Sequence, residues 1–150
     1  MIFYNLKGKK LKCSISEYKV DWDKKVASNF QFNVKQFFRE YWEKHFCFEE
    51  FPCFGTKLRI DLFNLTKRIA VEVHGDQHVR LNKFFHKNSQ DFFQAAERDR
   101  IKEIWCEQNQ IQLVEIYTKD LPLTKEKIVE KHGNILGESA NIQKDQDKSE

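Results

Sequence analysis

Two short stretches of β-forming residues, 58–64 and 69–73, are separated by the turn-like residues 65–68. Segments of this length and composition favour strands, and so short a connection favours an antiparallel hairpin. Side chains alternate along a strand, so Glu72 and His74 are predicted on one face. The sequence therefore predicts a β-hairpin whose second strand carries two polar groups side by side.

The first strand of this hairpin contributes one acidic residue. Alternation predicts Ile60 and Leu62 on one face and Asp61 on the other, where Asp61 meets Glu72. Two adjacent carboxylates repel each other unless a positive charge lies between them, and a hard divalent cation removes that repulsion. The pair therefore predicts a Mg²⁺ site, for which the backbone carbonyl of Val73 is a further candidate ligand.

The chemistry expected at such a site is hydrolysis. Mg²⁺ keeps several waters, which leaves coordination positions for a water nucleophile and a scissile phosphate. His74 is largely neutral at pH 7 and is a candidate to accept a proton from that water. The alternative is structural: Asp61 and Glu72 are then cross-strand partners of Lys57 or Arg59 on a solvated face. Spacing alone leaves both interpretations open.

The rest of the chain predicts an α/β domain with a mixed sheet flanked by helices. Ser28 and Gln31 have the spacing of a capping box, and aromatic residues then recur with helical period. The predicted elements are a helix at 28–45, strands beginning near 46, 58 and 69, a helix at 91–108, a strand at 111–117 and a helix at 124–131. This order is helix, three-stranded meander, helix, strand.

The two ends of the chain differ from the middle. Residues 1–27 are predicted to form a basic, β-hairpin-like arm, in which Lys9 and Lys10 are candidate phosphate contacts or a solvated hairpin tip. The main folded domain is predicted over 28–136. Residues 137–150 are polar and charged without apolar periodicity, which predicts a disordered tail.

Composition excludes several classes of protein. The chain has 150 residues with 40% hydrophobic side chains, which suits one folded domain. No apolar run approaches the roughly 18 residues that cross a bilayer, so no membrane partner is expected and an intracellular location is predicted. The four cysteines are far apart and are predicted to be free thiols.

Four motifs together resemble a known family. They are Ile-Asp-Leu-Phe at 60–63, Val-Glu-Val-His-Gly-Asp-Gln-His at 71–78, Glu-Arg-Asp-Arg-Ile-Lys at 97–102 and Ile-Gln-Leu-Val-Glu-Ile at 111–116. With the order of elements, they resemble the PD-(D/E)xK nuclease superfamily over residues 28–120. The likeness is strongest to the branch with very-short-patch-repair-like endonucleases and phage homing endonucleases of the EDxHD type.

The resemblance implies roles for individual residues. Asp61 becomes the central metal ligand, Glu72 takes the acidic position of the Glu-x-Lys motif, and His74 replaces its lysine. Gln77 competes with His74 for the role of that lysine. Catalytic or supporting roles are also implied for His78 and Asp99.

One position departs from the family pattern. The carboxylate that the family carries on its first helix falls at Gln31, a neutral amide that holds less of a metal's charge. Gln31 is then a candidate to hold a water or a phosphate oxygen, and Glu50 is a candidate substitute from the first strand. The number of metal ions stays open.

The long helix leaves a second question open. On a projection of 91–108, Phe93 and Trp105 share a broad apolar face, with Asp99 nearly opposite. If that face packs on the sheet, Asp99 points away from the metal. If the small-residue face approaches the sheet instead, Asp99 acts at the site, with Lys102 as its partner at i+3.

Basic residues flank the predicted carboxylates and favour a nucleic-acid partner. With the two lysines of the arm, the candidate phosphate contacts are Lys57, Arg59, Lys83, Lys87 and Lys102. The aromatic pair at 84–85 is a candidate to stack on a base, or to cover the edge of the core.

The sequence as a whole predicts a Mg²⁺-dependent endonuclease of the homing or repair type, acting on duplex DNA, with Mn²⁺ able to substitute. A homodimer is compatible with this prediction, as is a location in the host cytoplasm if a phage encodes the chain. Two alternatives are a non-catalytic nucleic-acid-binding module on the same fold and an RNA-directed nuclease.

Overall fold

A computed structural model describes residues 1–26, 28–75 and 89–139 of the chain. Within this part the protein is a mixed α/β fold. Its helices are α1 (Asn29–Trp42), α2 (Ser89–Gln108) and α3 (Lys125–His132). Its strands are β1 (Ile2–Tyr4), β2 (Lys10–Lys12), β3 (Cys47–Pro52), β4 (Arg59–Asn64), β5 (Ile69–His74) and β6 (Gln112–Tyr117).

The central sheet has four strands in the order β3-β4-β5-β6. The first three form the predicted antiparallel meander, and β6 returns parallel to β5 after helix α2. The parallel register places Glu72 beside Glu115 and His74 beside Tyr117. The topology therefore brings polar residues of β5 and β6 together.

Apolar side chains cover both faces of this sheet. On one face, α1 and α3 pack against Leu62, Val71 and Val114 through Phe38, Trp42 and Ile128. On the other face, Trp105 and Cys106 of α2 pack with a group of phenylalanines from β3 and β4. Burying large apolar side chains on each face is the dominant stabilising contribution to such a layered fold.

The β1–β2 hairpin is attached to the α2 side of the domain. Phe3 is fully buried in the second cluster, and Asn109 exchanges two hydrogen bonds with the backbone of Tyr4, at 2.7 and 2.9 Å. Gly55 lies under the hairpin with φ of +94°, where a Cβ would come within 2.9 Å of Asn5. The two short strands predicted near the N-terminus are confirmed.

Side-chain alternation is interrupted at one level of the sheet. Glu50 of β3 has a left-handed backbone with φ of +46°. Phe48 and Phe51, three residues apart on this strand, both belong to the second cluster. Ile60 and Phe63 belong to the second cluster, whereas Leu62 belongs to the first. The prediction that Ile60 and Leu62 face the same way is therefore wrong, because alternation fails in β4 directly opposite the left-handed Glu50 of β3.

The helix boundaries follow their predicted caps. The Ser28 hydroxyl accepts the Gln31 N–H at 3.0 Å, and the Thr124 hydroxyl accepts the Lys127 N–H at 3.2 Å. Helix α1 ends at Trp42, three residues before the predicted end. These contacts satisfy backbone donors that a helix start leaves without partners.

Helix α2 contacts the sheet through Trp105, Cys106 and Lys102. Phe93 is 66% exposed, whereas Trp105 is fully buried and Asp99 is half-buried. The grouping of Phe93 with Trp105 on the packed face is therefore wrong. Helical projection shows which residues share a face, but not which face finds a partner.

The four cysteines are free, as predicted. Burial raises the pKa of Cys47, Cys53 and Cys106 to about 12, so these thiols stay protonated at neutral pH. Among the described residues, no helix combines the length and apolar composition needed to cross a bilayer.

Candidate functional site

The candidate site lies where strands β4 and β5 separate. The backbone ladder between them runs from Asn64–Ile69 to Leu62–Val71. One step further, side chains take over: Asp61 Oδ2 accepts the Val73 N–H at 2.8 Å, and Glu72 Oε1 accepts the Asp61 N–H at 3.0 Å. Both carboxylates therefore lie in the gap between the strands, held by backbone donors.

A lysine from α2 reaches this gap. Lys102 Nζ lies 2.7 Å from Glu72 Oε2, and only 7% of the Glu72 side chain is exposed. The i+3 spacing predicts Asp99 as the partner of Lys102, but Lys102 pairs with Glu72 instead. The alternative of a solvated face with Lys57 or Arg59 as partners does not describe these buried carboxylates.

The electrostatics show that the two carboxylates lack sufficient positive charge. Burial and the charge of Glu72 raise the pKa of Asp61 to about 7. Burial also raises the pKa of Glu72, against the opposing charge of Lys102. Burial alone would lower the pKa of Lys102, but the carboxylates outweigh it and hold that pKa above its ordinary value. The site therefore favours an added cation or a proton.

His74 lies beside the carboxylates in a network of its own. Its Nε2 is 3.2 Å from Glu115 Oε1, and its ring stacks on Tyr117 with centroids 4.8 Å apart. The hydrogen bond to Glu115 raises the pKa of His74 despite burial, and the charge of Asp99 acts in the same direction. Asp99 is thus close enough to influence the histidine.

The α1 side of the gap is closed by a second polar group. Asp61 and Gln31 line one narrow cavity of about 10 Å³, room for about one water, with Lys35 and Glu49 at its wall. Gln31 thus lies near Asp61, where the resemblance places the helix carboxylate. The sequence predicts Asp61, Glu72 and His74 on one face of the sheet. Asp61 and Glu72 instead approach each other across the gap between β4 and β5.

Lys35 and Glu49 form a closed ion pair at that wall. Lys35 Nζ donates to Glu49 Oε1 at 2.8 Å and to the backbone oxygens of Asp21 and Lys24 at 2.6 and 2.8 Å. The other oxygen of Glu49 accepts the Asp21 N–H at 2.8 Å. This pair ties the segment before α1 to strand β3.

The donor set at the gap fits a hard divalent cation that keeps most of its waters. Carboxylate oxygens are the ligands that Mg²⁺ prefers, and the raised pKa values of Asp61 and Glu72 show charge that a cation would neutralise. Within the described residues, no three His, Cys, Asp or Glu side chains converge as a metal site. The fit is to two carboxylates, and a role for the Val73 carbonyl stays a prediction.

The remaining predicted residues are dispersed. Lys9, Lys10, Lys57 and Arg59 are exposed, and the hairpin turn lies near the end of α2. Glu50 is exposed, and its charge contributes to the raised pKa of Asp61. Four predicted residues lie outside the described part of the chain: Gln77, His78, Lys83 and Lys87. The aromatic pair at 84–85 also lies there, as do tail residues 140–150.

Sequence reasoning missed Glu115 and Tyr117 as neighbours of His74, and Lys35 as a buried charge. The Val-Glu-Ile pattern of β6 marked Glu115 as a polar residue in an apolar strand. Its partner depends on the register of a parallel pair, which is not encoded locally.

Two viral proteins are similar to part of the chain. It is 38% identical over 65 residues to uncharacterized protein 033L of Invertebrate iridescent virus 3. It is 37% identical over 67 residues to uncharacterized protein 307L of Invertebrate iridescent virus 6. Each match covers 43% of this chain, which spans about a third (34%) of the length of these relatives. No family model matches the chain. No solved structure matches it. Neither relative's name describes an activity, so the site itself must indicate the function.

Proposed function

We propose that the protein is a Mg²⁺-dependent DNA endonuclease of the PD-(D/E)xK type, with its active site in the gap between β4 and β5. The observation that carries the proposal is a pair of carboxylates in that gap. Asp61 accepts a backbone N–H from β5, and Glu72 accepts one from β4. Lys102 Nζ lies 2.7 Å from Glu72 Oε2. Buried acids with raised pKa values beside a cation are typical of catalytic sites.

Each side chain has a role in this proposal. Asp61 and Glu72 would hold a divalent cation, Mg²⁺ or Mn²⁺, which supplies positive charge to activate a water and to stabilise the phosphate. Lys102 supplies the ammonium that the motif lacks at position 74, because it remains charged beside Glu72. His74, oriented by Glu115, is placed to exchange a proton with the attacking water.

Further parts of the proposal rest on the sequence. Gln77, His78 and Asp99 support the centre, Gln31 holds a water or phosphate oxygen, and exposed basic residues contact the backbone of duplex DNA. An intracellular site of action is part of the proposal. So is a homodimer as one arrangement that would cut both strands.

The test is cleavage of supercoiled plasmid by wild type and Asp61→Asn in Mg²⁺, Mn²⁺ and EDTA. Asparagine keeps an oxygen that accepts the Val73 N–H but removes the charge, so the variant isolates the metal-binding role. We expect cleavage with either metal, none in EDTA, and a loss of at least about a hundredfold in the variant.

Controls separate the site from general charge effects. Lys102→Met should reduce cleavage, whereas Glu103→Gln, the exposed neighbour on α2, should cleave as wild type does. Wild-type activity in Asp61→Asn, or no cleavage of DNA by the wild type with either metal, contradicts the proposal. Cleavage of matched RNA but not DNA would identify an RNA-directed nuclease instead.

A second candidate is a non-catalytic DNA-binding module on the same fold. Two observations favour it: Gln31 is neutral, and the described residues hold no group of three side chains suited to a metal. This candidate predicts salt-sensitive DNA binding that is unchanged by EDTA, together with absence of cleavage. The same plasmid assay, followed by a binding assay, distinguishes the two.

A further inference from the structure

A cavity of about 460 Å³ opens beside the end of β6, between the turn Thr118–Asp120 and helix α3. Its floor is apolar, with Ile116 and Ile128, and its rim is mostly charged. The charged and polar rim residues are Lys119, Lys127, Lys131, His132, Asp120 and Glu130. Three ammonium groups against two carboxylates leave a net positive charge around the opening, which makes it a candidate anion site.

The lysines are held in place by local contacts. Lys119 and Lys131 lie over the Tyr117 ring, with Nζ 5.4 and 5.5 Å from its centroid. Lys127 Nζ donates to the Pro122 carbonyl at 3.0 Å. Asp120 is already engaged, since it accepts the Tyr117 N–H at 2.7 Å and lies 3.4 Å from Lys131 Nζ. Positive charge is thus held in a fixed arrangement, with Asp120 partly neutralised.

His132 adds an unused hydrogen-bonding atom. Its Nε2 is out of contact with solvent and has no hydrogen-bond partner among the described residues. Buried polar atoms are nearly always paired in folded proteins, so such an atom calls for an explanation. His132 lines the cavity, so a rotation of its imidazole toward a bound ligand oxygen would give this atom a partner.

The cavity adjoins the candidate active site through Tyr117. This ring stacks on His74, and Glu115 lies two residues earlier on β6, about 7 Å along the strand. Lys119 and Lys131, at the rim of the cavity, are therefore separated from His74 by one aromatic ring. The cavity at the end of β6 and the carboxylates on β4 and β5 are linked through the stacked rings of Tyr117 and His74.

We propose that this cavity binds a backbone phosphate of duplex DNA beside the candidate active site. The inference rests on the proposed function for the identity of the polymer, but it concerns binding and is tested without cleavage. Lys119 and Lys127 supply the charge, and His132 donates a hydrogen bond to a phosphate oxygen.

The test compares Lys119→Gln/Lys127→Gln with Lys44→Gln/Lys125→Gln, which removes two exposed lysines outside the cavity. All variants carry Asp61→Asn, and binding to a fluorescent 20-base-pair duplex is measured in EDTA at several salt concentrations. Removing two phosphate contacts should weaken binding about tenfold. It should also reduce the slope of the logarithm of the binding constant against the logarithm of salt concentration by about two. The control pair should change the slope much less.

Several outcomes would overturn the inference: equal binding by the cavity variant and the control, no duplex binding by the parent protein, or binding of duplex RNA but not DNA. The NMR signals of His132 should shift with the duplex, and a shift with inorganic phosphate alone, without one by DNA, would also overturn it. Cavity-dependent binding without plasmid cleavage would sustain this inference while rejecting the nuclease. If the cavity variant bound the duplex as the parent does and the wild type cleaved plasmid with metal, this inference would be rejected and the nuclease supported.

Discussion

Two buried lysine–glutamate pairs lie on opposite sides of the gap between β4 and β5. Lys35 and Glu49 have 5% and 15% of their side chains exposed, and Lys102 and Glu72 have 17% and 7%. The first pair is closed: the ammonium has three acceptors and both carboxylate oxygens are used. In the second, Lys102 has one acceptor among the described residues, and Glu72 faces another carboxylate.

The difference separates a structural pair from a candidate functional one. A buried ion pair contributes to a unique structure when every donor and acceptor is satisfied. The Lys102–Glu72 pair is instead part of a cluster with excess negative charge, since Asp61 has a raised pKa beside it. The Lys35–Glu49 pair positions the segment before α1, whereas the cluster around Lys102 and Glu72 is suited to bind a further cation.

The largest expected effect comes from Lys35→Met. It leaves Glu49 without its cation and two backbone oxygens without a donor, so we expect a loss of about 3 kcal/mol in unfolding free energy. Lys102→Met should lose less, about 1 kcal/mol, because the raised pKa of Glu72 lets that group take up a proton. Urea denaturation at pH 7 measures both, with the exposed Lys44→Met as control. Equal losses would abolish the distinction between the pairs.

Asp61→Asn should stabilise the protein by about 2 kcal/mol above pH 7. Because burial and Glu72 raise the folded-state pKa of Asp61 to about 7, the wild type loses stability as pH rises from about 4 to that value. The amide has no such loss and still accepts the Val73 N–H. Between pH 4 and 8, the melting temperature of Asp61→Asn should exceed that of the wild type by an amount that grows as the pH rises. Asp61→Ala, which lacks the acceptor, should show little or no gain.

A smaller effect is expected at His74. The hydrogen bond to Glu115 raises the pKa of His74, so Glu115→Gln should lower it. The stabilisation from this pair is complete below the ordinary pKa near 6.5 and is lost as pH rises through the folded-state value. NMR titration in EDTA measures the shift. His132, whose pKa burial and Lys131 lower, is the internal control and should not move.

The smallest effect is expected at the surface. Arg39 and Asp23 are 2.9 Å apart, but 85% of the Asp23 side chain is exposed, so solvent screens the pair. Asp23→Asn should leave the melting temperature unchanged within error. A clear decrease would show that the distance between charges, and not their burial, determines the contribution of ion pairs in this protein.

Elements with strong local signals were predictable from the sequence. The Ser28 and Thr124 caps, the apolar period of α1 and the β-rich segments located the described helices and strands to within a few residues. Asp61 and Glu72 were also predictable as neighbours, because a short turn joins their strands.

Features that depend on packing were not predictable. Ile60 and Leu62 occupy opposite faces of β4, next to the left-handed Glu50 of β3, and nothing near Glu50 in the sequence marks a residue at positive φ. Helix α2 turns Lys102 toward the sheet and leaves Phe93 exposed, because the gap between the strands offers Lys102 an anionic partner. The proximity of Glu115 to His74 required the register of β6 on β5.

The hydrogen bonds that join β4 to β5 beyond Leu62 need oxygen acceptors but do not need charge. Asparagine at 61 would accept the Val73 N–H without repelling Glu72, whereas Glu72 also neutralises Lys102 and needs its charge. Selection for the fold alone would therefore allow an amide at position 61. Among related sequences, those with asparagine at position 61 should keep the architecture and lack the metal-dependent cleavage that we propose. An acid at position 61 would therefore distinguish chains that keep the proposed activity from chains that keep only the fold.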